Sequence, residues 1–334
     1  MLICKDCFLD EELRSEVAQN ASKDGVCEVC GNSGNLYDFS ELYDFFSALL
    51  ALYTPSNNSH KTIVDIIQEE WNIFSNKNIA NILLSDVITA NGCNYSINDF
   101  VDYTDEITER VAVWETLKKD VREKNRFFID IREFDKYNYL TTGANITINQ
   151  KLYRSRIIPK EQKKIKCSEM GCPPNYLATP GRANPKGIPY LYLSDSAKTT
   201  YYEVRALYLD KLSVGTFRIK RDLKLIDFIY DVNLFFSYNC SSLPLKEIVI
   251  KKKVIDAISA DLSKPIRRYD DPELEYVPTQ LICEYCKNIV GADGISFESS
   301  VHKGGRNYVL FDGSAAKCTS VAMHEITKID IDRK

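Results

Sequence analysis

The chain has 334 residues, 44% of them hydrophobic and 27% charged, which is room for two ordinary domains and the composition of a folded globular protein. Its formal net charge of −4 argues against a general nucleic-acid binder, which needs surplus Lys and Arg to displace counterions from phosphates. Twenty Tyr and fifteen Phe supply large side chains for a core.

The first predicted segment, residues 1–35, opens Met-Leu-Ile-Cys-Lys-Asp-Cys, without the basic start and apolar stretch of a secretory signal. A cytoplasmic location is the expectation, so the eleven cysteines read as reduced thiols or metal ligands. Cys4-Lys-Asp-Cys7 and Cys27-Glu-Val-Cys30-Gly31 are two CxxC units nineteen residues apart. Each such turn aims two thiolates at one centre, and two turns complete a tetrahedral zinc site. Four thiolates leave no open position for substrate, so a zinc ion held by Cys4, Cys7, Cys27 and Cys30 is expected to be structural, stapling a segment too short to fold alone. With three basic and seven acidic side chains, this segment is poorly suited to grip DNA.

Residues 36–140 read as a helical domain. Leu42, Phe45, Phe46, Leu49 and Leu50 repeat at three- and four-residue intervals, the stripe of an amphipathic helix. A second helix carries Ile63, Ile66 and Ile67, a third runs from Asn78 to Ala90, and a fourth from about Asp105 to Lys124 with Val111, Trp114, Leu117 and Val121 on one side. The run from Phe45 to Tyr53 is the most apolar, about half the length a bilayer crossing requires, so no membrane partner is expected. This bundle shows no chemistry of its own.

From residue 141 to 334 the texture changes to short strands separated by Gly and Pro. Strands are predicted over Asn145–Leu152, Tyr190–Leu193, Val214–Ile219, Ile295–Phe297, Tyr308–Phe311 and Ser320–Ile331, and helices over Ala197–Leu207, Ile248–Leu262 and Val277–Val290. Cys167, Cys172, Cys283 and Cys286 offer a second metal set, but small buried thiols account for them equally well.

Chemistry concentrates in one stretch. Thr179-Pro180-Gly181-Arg182-Ala183-Asn184-Pro185-Lys186-Gly187 is a loop that leads into Tyr190-Leu191-Tyr192-Leu193, and a helix bearing Glu203 follows. Arg182 beside Gly181 places a guanidinium fork where a ligand can approach the backbone, and such forks suit phosphate oxygens. Taken alone, this is equally a surface turn with a solvated arginine.

The stretch resembles the RES domain family, which shares a Gly-Arg-x-Asn-Pro-x-Gly loop, a following Tyr in a strand and a Glu in the next helix. The resemblance continues in order at Leu152-Tyr153-Arg154-Ser155-Arg156, at Tyr276-Val-Pro-Thr-Gln280, at Asp293-Gly294-Ile295-Ser296-Phe297-Glu298-Ser299-Ser300 and at Gly304-Gly305-Arg306-Asn307-Tyr308-Val309-Leu310-Phe311, over roughly residues 145–325. It implies an α+β, ADP-ribosyltransferase-like RES domain, here preceded by a small zinc knuckle and a helical N-terminal domain of the HEPN/RES type. It also implies a compact cleft between small sheets. NAD⁺ is the implied substrate, releasing nicotinamide with water or phosphate as the acceptor of the ADP-ribosyl group, as in toxins held in check by an antitoxin or immunity protein. A second copy of the chain is a further partner to consider.

Carried over, Arg154 and Arg182 match the arginines that hold NAD⁺, with Arg156 as an extra phosphate contact. Tyr192 matches the aromatic near the nicotinamide, Glu203 the acidic residue and Ser299 the active-site serine, so Glu203, Ser299 and Arg182 carry the expected catalysis. The family often has Tyr where Phe297 stands, and Ser300 competes with Ser299 for the serine role. His302 sits at the expected pocket edge, yet no Ser-His-Asp arrangement can be composed. Two rivals remain: ADP-ribosyl transfer onto a protein or nucleic acid, because the acceptor is chosen by the cleft mouth, and a catalytically silent zinc adaptor that binds a protein partner.

Overall fold

The structure, a computed structural model, describes residues 1–159, 164–265 and 271–328. Its strands are β1 (Leu2–Ile3), β2 (Lys23–Val26), β3 (Ser33–Asp38), β4 (Tyr53–Pro55), β5 (Val101–Tyr103), β6 (Thr142–Ile146), β7 (Lys151–Ile157), β8 (Leu191–Ser194), β9 (Lys211–Ile219), β10 (Leu223–Asp227), β11 (Gly294–Glu298), β12 (Arg306–Leu310) and β13 (Ala316–Glu325). Its α-helices are α1 (Glu11–Asn20), α2 (Tyr43–Leu50), α3 (Ile63–Ile66), α4 (Lys77–Asn91), α5 (Asp105–Glu123), α6 (Ile131–Phe134), α7 (Ala197–Glu203), α8 (Leu234–Cys240), α9 (Leu245–Ser263), α10 (Pro272–Glu275) and α11 (Val277–Tyr285). Among the described residues, no helix is long and apolar enough to cross a membrane.

The chain packs as two compact units. The first comprises Met1–Ala112 and Asp231–Lys252. In it β3 pairs antiparallel with both β1 and β2. The apolar stripe of α2 buries Phe45, Phe46, Leu49 and Leu50. Phe46 meets Phe8, Phe39 and Phe74 at ring-centroid distances of 6.4, 5.5 and 5.6 Å, an aromatic nucleus for this unit. Local signals place its helices: Thr62 and Asp65 form a capping box at α3, and Asn76 caps α4, which ends at Gly92 in the left-handed region (φ 60°). Residues 231–252 fall in this unit because Phe235 of α8 packs edge-on against Phe45 at 5.2 Å and Arg110 forms an ion pair with Glu247 at 2.6 Å. That division differs from the segments 1–35, 36–140 and 141–334 expected above.

The second unit, Val113–Tyr230 with Lys253–Lys334, is built on one eight-stranded sheet in the order β13-β9-β7-β8-β12-β11-β10-β6. All neighbours are antiparallel except the parallel pair β10 and β11. Leu152, Leu191, Leu193, Phe217, Leu225 and Leu310 form the core under it. The sheet is continuous but pinched: β7 runs beside β9 from Lys151 to Ile157, yet it joins β8 through the single pair Tyr153 and Ser194. Where a cleft between small sheets was expected, one eight-stranded sheet with a one-pair waist stands.

Several element boundaries need correction. The predicted strand Asn145–Leu152 is two strands, β6 and β7, parted by a turn in which Asn149 takes a left-handed conformation (φ 69°), as asparagine tolerates. β6 then pairs with β10 at one edge while β7 pairs with β9. The helix expected over Ala197–Leu207 stops at Glu203, because Arg205 at φ 51° turns the chain out of the helix. β13 begins earlier than expected, at Ala316, and ends at Glu325; the end of the Ser320–Ile331 prediction lies outside the described residues.

Candidate active site and cysteine cluster

The Gly-Arg loop is rigid for reasons its residues state. Asn184, 4% exposed, donates from Nδ2 to the carbonyls of Thr179, Pro185 and Ile188 at 3.0–3.1 Å. Its Oδ1 accepts from the Tyr192 hydroxyl at 2.7 Å, and that hydroxyl accepts from the Ala183 N–H at 3.2 Å. A Cβ on Gly181 would lie 2.7 Å from both Asn184 Oδ1 and Tyr192 Oη, so only glycine fits. Gln280 donates to the carbonyls of Gly181 and Asn184 at 2.8 and 3.0 Å, and Thr279 to that of Arg182 at 2.6 Å. The Tyr276–Gln280 block thus grips this loop from α11.

A cavity of about 400 Å³ opens beside it. Arg154, Arg182, Tyr192 and Glu203 line it together, although they come from β7, the loop, β8 and α7. Its floor follows the sheet's waist: Tyr153 pairs with Ser194, Ser194 with Asn307 and Asn307 with Phe297, and all four line the cavity. Ser299 is not among the lining residues, but its Oγ donates to Glu203 Oε1 at 2.6 Å. Arg156 does not line the cavity; its guanidinium donates to the Gly171 carbonyl at 2.9 Å.

Three features went unassigned in the sequence. Asn307, 7% exposed, donates from Nδ2 to the same Glu203 Oε1 at 2.6 Å, while Ser194 donates to Asn307 Oδ1 at 2.7 Å. Ser299 and Asn307 therefore hold one carboxylate oxygen, and among the described residues Oε2 accepts no hydrogen bond. Second, Arg182 donates to the Asp261 carbonyl at 2.8 Å and lies 5.1 Å over the Tyr276 ring. Third, Tyr202 and His302 stack beside Glu203.

Two cations line the cavity, Arg154 and Arg182. Arg154 Nη1 is buried without a hydrogen-bond partner. Burial, with Arg156 adding repulsion, pushes its guanidinium down to about 10, still charged at neutral pH. Burial lowers Arg182 as well. The Tyr192 hydroxyl, by contrast, is consumed by the loop, and burial pushes its phenol up.

In the first unit, Cys4 and Cys7 follow β1, while Cys27 and Cys30 sit in the β2–β3 turn, where Gly31 takes φ 75°. The four Sγ atoms lie within 4.8 Å of one another, with Cys4–Cys30 at 3.3 Å and Cys7–Cys27 at 3.6 Å. A tetrahedron of sulfurs about 2.3 Å from zinc has edges of about 3.8 Å, so the set could hold a metal. Burial and the neighbouring thiols push Cys4 up to about 11 and Cys7 higher still. At Cys27 burial opposes, and is outweighed by, donation from the N–H groups of Cys30, Val29 and Cys4, leaving it at about 7. Among the described residues no other group of three or more Cys, His, Asp or Glu is close enough for a metal, and burial drives Cys283 and Cys286 upward.

A mixed α+β domain whose cavity is lined by two partly buried arginines and by a glutamate held by Ser299 and Asn307 defines the class. The RES domain model matches residues 152–332, more than half of the chain, and the chain belongs to that family. Among solved structures, a chain of the crystal structure of the M. tuberculosis MbcT–MbcA toxin–antitoxin complex is similar, at 12% identity. The match covers 67% of this chain and 93% of that one, with a TM-score of 0.30. No curated protein matches.

Proposed function

We propose that this chain degrades NAD⁺, breaking the bond between nicotinamide and ribose C1′. The observation that carries this reading is that Arg154, whose Nη1 is buried and unpartnered, lines the same cavity as Glu203. A guanidinium nitrogen removed from water and left unpaired is costly unless a ligand anion completes it. Arg154 and Arg182 would clamp the pyrophosphate through paired, charge-assisted hydrogen bonds.

Glu203 supplies the chemistry. Ser299 and Asn307 fix Oε1, which leaves Oε2 to the ribose. As the C1′–N bond breaks, its electron pair goes to the pyridinium nitrogen, neutral nicotinamide departs, and positive charge develops on the sugar. A preorganised carboxylate stabilises that oxocarbenium-like state and can hydrogen-bond a ribose hydroxyl. Water or phosphate then adds at C1′. Ser299 is assigned the orienting of the carboxylate, its hydroxyl donating to Glu203 Oε1.

Depletion of NAD⁺ would harm the producing cell, so an antitoxin or immunity protein covering the cavity mouth belongs to the same proposal. A structural zinc ion on Cys4, Cys7, Cys27 and Cys30 belongs to it too. The donor set is four largely buried thiols, and zinc there would supply cross-linking without an open coordination position.

The test is nicotinamide release from labelled NAD⁺ by wild type and by Glu203→Gln, with and without phosphate. Removing one preorganised electrostatic contact costs about 10²–10³ in rate. Equal release by the two proteins would refute the role of Glu203. Label on macromolecules, in place of free ADP-ribose or its phosphate, would move the reading to ADP-ribosyl transfer.

A further inference from the structure

Resting on NAD⁺ as substrate, we propose that Tyr202 is the stacking platform for the nicotinamide ring. Tyr202 directly precedes Glu203, lines the same cavity and is 46% exposed. Its ring lies on that of His302, centroids 5.0 Å apart and planes within 10°. His302 therefore covers one face of the phenol and leaves the other to the cavity.

The stack is built from below. Thr199, fully buried, donates its hydroxyl proton to Asp195 Oδ1 at 2.8 Å. Its single proton spent, Thr199 Oγ1 can only accept from His302 Nδ1, 3.0 Å away, which sets the tautomer and the ring plane. The His302 backbone N–H donates to Ser299 Oγ at 3.2 Å, the same hydroxyl that donates to Glu203. A Cβ on Gly305 would lie 2.7 Å from both His302 Nδ1 and Thr199 Oγ1, so glycine is required for this arrangement to close. Asp195, Thr199, His302 and Tyr202 thus form a chain of fixed orientations ending in one exposed aromatic face.

The chemistry of the ring selects its ligand. In NAD⁺ the nicotinamide is a pyridinium cation, and the electron-rich face of a phenol attracts a flat cation as well as stacking with it. Glu203 must meet the ribose carbon that bears this ring, so the ring falls next to the residue that precedes Glu203. Tyr192 lines the same cavity, but it is more buried and is anchored by its hydroxyl in the Gly-Arg loop, whereas Tyr202 is 46% exposed. Since the pyridinium loses its charge as the bond breaks, the attraction is greatest before the transition state. It therefore strengthens substrate binding and not the chemical step.

The discriminating experiment measures binding of 1-methylnicotinamide, a pyridinium cation, and of ADP-ribose, which lacks the ring, alongside NAD⁺ cleavage. Wild type, Tyr202→Phe, Tyr202→Leu and Gly305→Ala are compared. Tyr202→Leu is expected to weaken 1-methylnicotinamide about tenfold and raise KM for NAD⁺ as much, with kcat unchanged or higher and ADP-ribose binding retained. Tyr202→Phe keeps wild-type values within about twofold, and Gly305→Ala shifts the same quantities in the direction of Tyr202→Leu. Wild-type 1-methylnicotinamide affinity in Tyr202→Leu, with NAD⁺ still cleaved, overturns the platform alone. Joint loss of 1-methylnicotinamide and ADP-ribose binding in Tyr202→Leu also overturns it, because a platform for one ring spares the other ligand. A wild type that neither cleaves NAD⁺ nor binds either probe overturns the function and the platform with it.

Discussion

Replacing Arg154 with methionine should make the free protein more stable and the site useless. The arginine sits on β7 with Nη1 buried and unpartnered, and burial holds it down at about 10. At about 1.36 kcal/mol per pKa unit, that depression corresponds to roughly 3 kcal/mol of strain on the charged form. Methionine keeps the length and the apolar contacts of the stem while removing the charge. Allowing for imperfect packing, a net gain of about 1–2 kcal/mol is expected, or roughly 2–6 °C in Tm. The sign with pH follows: the folded value lies below the unfolded one, so the penalty is fully present at every pH below about 10 and is relieved only as pH rises through that range. The Tm difference should therefore be flat between about pH 5 and 9. Differential scanning calorimetry with and without pyrophosphate is the assay. Pyrophosphate should raise the Tm of wild type and raise that of Arg154→Met, which keeps Arg182, by much less. A methionine variant less stable than wild type without ligand, or equally stabilised by pyrophosphate, would refute the reasoning.

Two further outcomes follow from the geometry. Asn307→Leu removes one of two donors to Glu203 Oε1 and leaves the Ser194 hydroxyl without its acceptor; at about 1.5–3 kcal/mol for a hydrogen bond to a charged group, kcat should fall about 10–100-fold with KM little changed. Steady-state nicotinamide release checks this, and in the Glu203→Gln background the same substitution should cost far less. For the cysteine cluster, purified protein should carry about one zinc per chain by elemental analysis, and Cys27→Ser should lose it and melt earlier.

How much of this was legible in the sequence divides along a physical line. Spacing along the chain revealed the Cys4, Cys7, Cys27 and Cys30 set, because a CxxC turn is a local object. It also revealed the α2 stripe, because helical periodicity needs only neighbouring residues. β10 went unseen despite its pattern, with Leu223, Leu225 and Ile226 buried around an exposed Lys224, since five residues after an Arg-Asp turn give a short signal. The return of residues 231–252 to the first unit was also hidden, because it depends on Phe235 meeting Phe45 across 190 residues of chain. Motif comparison brought Arg154, Arg182, Tyr192 and Glu203 to attention, but it gave no sign that the Tyr192 hydroxyl braces the Gly-Arg loop or that Tyr202 stacks on His302.

What converts these scattered residues into one site is the register of the sheet. Tyr153, Ser194, Asn307 and Phe297 sit opposite one another across four strands, so their side chains share a face by the two-residue period of a strand. Arg154 is next along β7 and would point to the opposite face of a fully paired sheet. It nevertheless lines the same cavity, one residue along from the point where β7 and β8 share a single pair and then part. Closing that waist with further β7–β8 pairs would return Arg154 to the far side. The gap in pairing is thus where a largely buried guanidinium and the cavity come together on one strand.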